Sequence, residues 1–162
     1  MADYYRQASF VIPTEDEDQT KWLISVFDGA GALFADLSKE PESCLPDEAV
    51  TVATEHGFDF VYADLPDWRV HPDGVWVSSD NLDIEFMEIV IQAYLRKFHP
   101  NKFFGFEYAM TCSKPRLGGF GGGAVYVDAK EVSYDGSYSW LSYQYAKASA
   151  GGGELLEGSC WR

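Results

Sequence analysis

No run of apolar residues in this chain approaches the roughly 18 that a membrane-spanning helix requires. The opening Met1-Ala-Asp-Tyr-Tyr-Arg6 has neither the basic nor the apolar block of a secretion signal, so a cytoplasmic protein is expected. Cysteine is scarce: Cys44, Cys112 and Cys160 are odd in number and far apart, which fits neither a disulfide framework nor a paired-ligand metal site, and they read as reduced thiols. His56, His71 and His99 lack the helical spacing of a zinc pair. Cations are also few, with 12 Lys and Arg against 26 Asp and Glu and a net charge of −14. The deficit is uneven. Residues 1–88 hold 20 acids against Arg6, Lys21, Lys39 and Arg69, a net −16, whereas residues 89–162 come to +2. A field of this sign repels phosphate backbones and attracts a basic protein surface, so direct nucleic-acid binding is disfavoured.

What is present is enough to close a core. With 46% hydrophobic and 16% aromatic residues in a chain of 162, a single domain over residues 1–153 is expected, followed by a short C-terminal segment at 154–162. Ser9-Phe-Val-Ile-Pro13 reads as a strand at an edge or end, because proline stops it. Thr14 is the expected cap of a helix that carries Glu15, Asp16, Glu17 and Asp18 in its first turn and Trp22, Leu23, Val26 and Phe27 at helical spacing. Gly29 and Gly31 leave its end open. A proline-bounded loop over 38–47 leads to a short helix from Asp47 to about His56, ended by Gly57.

Phe58, Phe60 and Tyr62 alternate with Asp59, Val61 and Ala63, so a hairpin over 58–77 is expected, with Pro66 to Gly74 as its turn. The clearest element is a helix over 81–98. Ile84, Met87, Ile91, Leu95 and Phe98 form its apolar stripe, Glu85, Glu88, Gln92 and Arg96 its polar one, and Asp80 its cap. A strand over 103–112, central in its sheet, a glycine-rich turn over 117–123, a strand over 124–128 and a helix over 137–150 with Leu141, Tyr145 and Ala148 inward complete the chain. The expected class is α+β: an antiparallel sheet with helices mainly on one face, in ferredoxin-like (split βαβ) order with an added strand and helix.

No pattern fixes a chemistry. Lys114-Pro-Arg116 before Gly118-Gly-Phe-Gly-Gly-Gly123 has the composition of a phosphate cradle, but it runs into a strand and lacks the Gly-Lys-Ser/Thr ending, so a glycine-permitted turn with a bulge explains it. Cys112 on an apolar strand face reads as core. Asp64, Asp67, Asp73, Asp80 and Asp83 surround the hairpin and the next helix start without the register of a calcium loop, so a solvated rim is expected there. The aromatic residues read as core rather than as a base-stacking platform, because the cations such a platform needs are absent.

Thr111-Cys-Ser-Lys-Pro-Arg116 and Phe120-Gly-Gly-Gly-Ala-Val125, with the segment from Asp80 through Lys102, resemble a recurrent block in small uncharacterised proteins of bacteria and their mobile elements. The resemblance covers less than a third of the chain. It implies a bacterial or phage context and brings no activity, cofactor or site residue.

The expected function is a non-enzymatic acidic binding protein. It would be an inhibitor of DNA-mimic or anti-CRISPR type, docking on a basic, nucleic-acid-binding surface of a host or phage-defence protein. Two alternatives stay open: an immunity protein neutralising a toxin, and an enzyme with an unrecognised carboxylate or Cys/His site. The candidate partner-binding residues are Glu15, Asp16, Glu17 and Asp18, with Asp64, Asp67, Asp73, Asp80, Asp83 and Glu85. No catalytic residue, metal or cofactor is expected, and the oligomeric state is left open.

Overall fold

The computed structural model describes residues 3–114 and 120–150, so the expected segment 154–162, Cys160 and the first part of the glycine-rich turn lie outside the described residues. The elements are β1 (Tyr4–Pro13), α1 (Glu17–Ala35), α2 (Pro41–Cys44), α3 (Asp47–His56), a 3₁₀ turn (Phe60–Tyr62), β2 (Asp67–His71), β3 (Gly74–Ser79), α4 (Ile84–Phe98), β4 (Phe103–Cys112), β5 (Gly121–Asp128), β6 (Val132–Gly136) and α5 (Ser137–Ala150). The chain is therefore mixed α+β. Among the described residues, six strands form one sheet in the order β2-β3-β1-β4-β5-β6, with every neighbouring pair antiparallel.

Strand register decides which side chains share a face. Ile12 lies opposite Val75, Phe10 opposite Val77, Phe104 opposite Val127 and Phe106 opposite Val125, and these residues belong to the core or pack against it. Leu23, Val26, Phe27, Ala30 and Leu33 of α1 and Phe86, Met87, Val90 and Ile91 of α4 complete that core. Phe86 is fully buried against Phe27, Phe58 and Phe60, a setting in which truncation to Ala costs about 3–5 kcal/mol. Helix α1 runs through both of its glycines. Gly29 is there because any Cβ would collide with the Cys44 carbonyl of the adjoining α2. Gly57 ends α3 in the left-handed conformation, φ 69°, as expected.

Several expectations need correction. β1 is central, between β3 and β4, because Pro13 is its last residue and the missing N–H falls where the ladder ends. Asp16, not Thr14, caps α1, and Asp83, not Asp80, caps α4. The strand expected over 58–65 is instead a 3₁₀ turn, since the Asp59 carboxylate accepts from Val61 N at 3.0 Å while Phe58 and Phe60 pack edge to face. β2 begins at Asp67, within the segment read as a turn. Gly121 to Gly123 are strand residues, with Gly123 against the Tyr108 ring. β6 was not anticipated. Leu141 of α5 is half-buried, and the side chains of Tyr145 and Ala148 lie outside the described residues.

The polar stripe of α4 is also buried where it matters: Glu88 is 5% exposed and Gln92 1%. α3 and the β5–β6 end of the sheet cover it, which makes this helix enclosed on nearly all sides.

Candidate functional site

The start of α4 is capped by its own Asp83 and tied to two other parts of the chain, the segment at Asp64 and strand β1. Asp83 Oδ1 accepts the Phe86 amide at 3.1 Å, capping the helix, and Asp83 Oδ2 accepts the Asp64 amide at 3.4 Å. Asn81 Nδ2 donates to Asp64 Oδ2 at 3.1 Å, and the Leu82 amide donates to the Arg6 carbonyl of β1 at 2.6 Å. These bonds hold open a cleft of about 480 Å³ with Asp64, Asp83, Glu85 and Glu88 in its wall, facing Arg6, His56 and Tyr134. The volume is in the range of ligand pockets, about 300–1,000 Å³.

Glu88 is the unusual member. It follows Glu85 by one helical turn and has no hydrogen-bond or ion-pair partner among the described residues. Trp22 Nε1 is the one fully enclosed side-chain polar atom there without a partner, so the Glu88 oxygens are not sealed in protein and face the cleft. Burial, reinforced by the charges of Glu85 and Asp83, pushes the Glu88 carboxyl up to about 7. Across the cleft the Tyr134 hydroxyl is raised above the usual phenol value, mainly by the Glu88 charge and then by burial and Glu85. Arg6 forms no ion pair within 4.0 Å among the described residues.

One turn further along α4 the same stripe is fully used. Gln92 Oε1 pairs with His56 Nε2 at 2.8 Å, and Gln92 Nε2 donates to the Asp128 carbonyl at 3.1 Å. Arg96 donates through Nε to the Ala129 carbonyl at 2.9 Å and pairs with Glu55 at 2.6 Å. No family model, curated protein or solved structure matches the chain. The cleft's chemistry therefore rests on its own geometry.

The acids singled out in the sequence fall into separate places. Asp64, Asp83 and Glu85 meet in the cleft. Asp67 and Asp80 border a shallow groove on the opposite face of the sheet, where Gln7 donates to Asp80 at 3.3 Å. Asp73 lies at the far end of β1, its carbonyl accepting from the Thr14 amide at 3.2 Å. Near it, Glu15 pairs with Lys102 at 2.5 Å, which lowers its carboxyl, Asp16 accepts the Gln19 amide at 2.8 Å, and Glu17 pairs with Lys21 at 3.0 Å. Asp18, in the same turn, is exposed.

Arg6, His56, Glu88 and Tyr134 were not among the sequence candidates. The signal for Glu88 was a lone carboxylate inside Phe86-Met-Glu-Ile-Val-Ile91. Arg6 and Tyr134 come from β1 and β6, and only the sheet brings them to α4. Among the described residues no three His, Cys, Asp or Glu side chains are grouped tightly enough for a metal ion, and no helix is long and apolar enough to cross a membrane. What the cleft can do is concentrate negative charge around an incompletely solvated carboxylate. It can hold an organic cation or move a proton near neutral pH.

Proposed function

We propose that the chain is a non-enzymatic acidic binding protein of the cytoplasm, whose cleft-bearing end docks on a basic, nucleic-acid-binding surface of a host or phage-defence protein and keeps nucleic acid from it. The observation that supports this most is the gathering of Asp64, Asp83, Glu85 and Glu88 in one cleft whose lining includes the single cation Arg6. The net −16 over residues 1–88 attracts a basic partner to the chain, and the cleft gives it a fixed point of attachment. An immunity protein neutralising a basic toxin would use the same surface. We also read β1, α1, β2, β3, α4 and β4 as a split βαβ arrangement with β5, β6 and α5 added, supported by the order β4-β1-β3-β2.

The test uses the chain immobilised, bacterial lysate passed over it, and elution by a salt gradient. The double variant Asp64→Lys with Glu85→Lys should lower the affinity for the captured protein by about tenfold or more, whereas Asp18→Lys should not. Duplex DNA should compete with capture. Unchanged elution from the double variant, or indifference to DNA, would contradict the reading.

A second reading has one observation in its favour. A carboxyl held near 7 in a polar cleft suits a general acid or base, so an enzyme built on Glu88 is the alternative. A turnover lost in Glu88→Gln while partner capture persists would favour it.

A further inference from the structure

We propose that the cleft at the start of α4 is a receptor for one guanidinium group, the side chain of an arginine on the docked partner, which enters between Glu88 and Tyr134 and is held by Glu88 and Glu85. This rests on the docking reading above and names the chemistry of the contact.

Glu88 carries the argument, because it is 5% exposed, faces the cleft and has no partner among the described residues. A carboxylate largely withdrawn from water without a counter-charge is costly, and a cation seated beside it offsets part of that cost. The group needed is not a bare metal ion, since no tight set of ligands converges, and Asp83 and Asp64 already spend oxygens on the Phe86 and Asp64 amides and on Asn81. Glu85 and Glu88, three residues apart on one helix face, are left to accept. A guanidinium suits them better than an ammonium: it is planar, less strongly hydrated, and offers five donors in a fork. Tyr134, 66% exposed, gives a ring face for stacking, and Ile84 lines the cleft beside an aliphatic stem.

The charged and titratable groups around Glu88 are Asp64 from the loop after the 3₁₀ turn, Asp83 and Glu85 of α4, His56 of α3, Arg6 of β1 and Tyr134 of β6. Arg6 is the competitor within the chain. It makes no ion pair among the described residues, which leaves the carboxylates to an outside cation. The charge of that cation would draw Glu88 down from about 7, so occupation near pH 6 would release a proton and weaken as the solution is made more acidic.

The probe is N-acetyl-arginine methylamide, added to the full chain with carboxyl carbons of Glu labelled for NMR. The Glu88 and Glu85 signals should shift in a saturable way at concentrations on the order of millimolar. The citrulline analogue should cause no shift and the lysine analogue a weaker one. Glu88→Gln should reduce probe affinity at least about tenfold; the site of the shifts in the unaltered chain keeps the test valid should that variant fold poorly. Arg6→Met should leave affinity equal or higher. Four results would overturn the inference: shifts only outside the cleft, equal response to citrulline, stronger response to calcium or magnesium than to the probe, or binding that appears only after Arg6→Met, which would mean the chain fills its own cleft. If an arginine-rich peptide binds with salt dependence but spares Glu88, the arginine pocket falls and the docking reading stands. If neither probe nor peptide binds, both fall.

Discussion

At one end of β1, Glu15, Asp16 and Glu17 each meet a cation or a donor; at the other, Glu85 and Glu88 have no donor among the described residues and line a cleft with Asp64, Asp83 and Arg6. The first group is built into the fold. Asp16 holds the amide and side chain of the buried Gln19, and the Tyr94 hydroxyl, 2.5 Å from Gln19 Oε1 and 2.9 Å from the Pro13 carbonyl, has its one proton to share between these two acceptors. The cations gather at that end too, with Lys97 on Glu48 and Lys102 on Glu15. The difference teaches that local acid density does not make a site. Glu88 is available to a partner because it lines a cleft, is largely buried and is given no donor by the described residues.

The largest way to break the comparison is Glu88→Gln. The folded-state carboxyl sits at about 7 against an ordinary 4.5, so the folded chain holds this proton more tightly than the unfolded one. That advantage is complete below the ordinary value and is lost as pH rises through about 7, a change on the order of 3 kcal/mol across the window. The glutamine variant cannot ionise. It should be more stable than the parent by a similar amount at about pH 8 and equal to it at about pH 4, by urea denaturation. A loss of stability at both pH values would mean that Glu88 is paired.

One turn along the same stripe the sign reverses. Gln92→Leu strands His56 and the Asp128 carbonyl, so a loss of about 2 kcal/mol is expected in the same urea denaturation. Asp16→Ala removes a helix cap and should cost about 1 kcal/mol in the same measurement. Smallest is Glu15→Gln, which breaks an exposed pair with Lys102 and should leave the denaturation midpoint unmoved at moderate salt.

Much of the fold was legible because its signals are local. The apolar stripe of α4, the alternation of β4 and the glycine after α3 each depend on neighbouring residues alone. What failed depends on distant ones. Phe58 and Phe60 alternate like a strand, yet both rings pack on Phe86 while Asp59 captures a nearby amide. β6 contributes only Val132 and Tyr134 to the inner face, too short a pattern to announce a strand. The cleft was half legible. Asp64, Asp83 and Glu85 stood out as acids near a helix start, but Glu88 lies on the stripe that a helical wheel assigns to solvent. Only the arrival of α3 and β6 encloses that stripe.

The account turns on whether the Glu88 carboxyl is uncompensated in solution, and a carbon-13 NMR titration of that one group measures it. A midpoint near 7 is predicted, moving lower when the arginine probe is present. A midpoint at or below the ordinary carboxylate value of 4.5 in the free chain would show that Glu88 already has its counter-charge, and would contradict both the cleft and the function drawn from it.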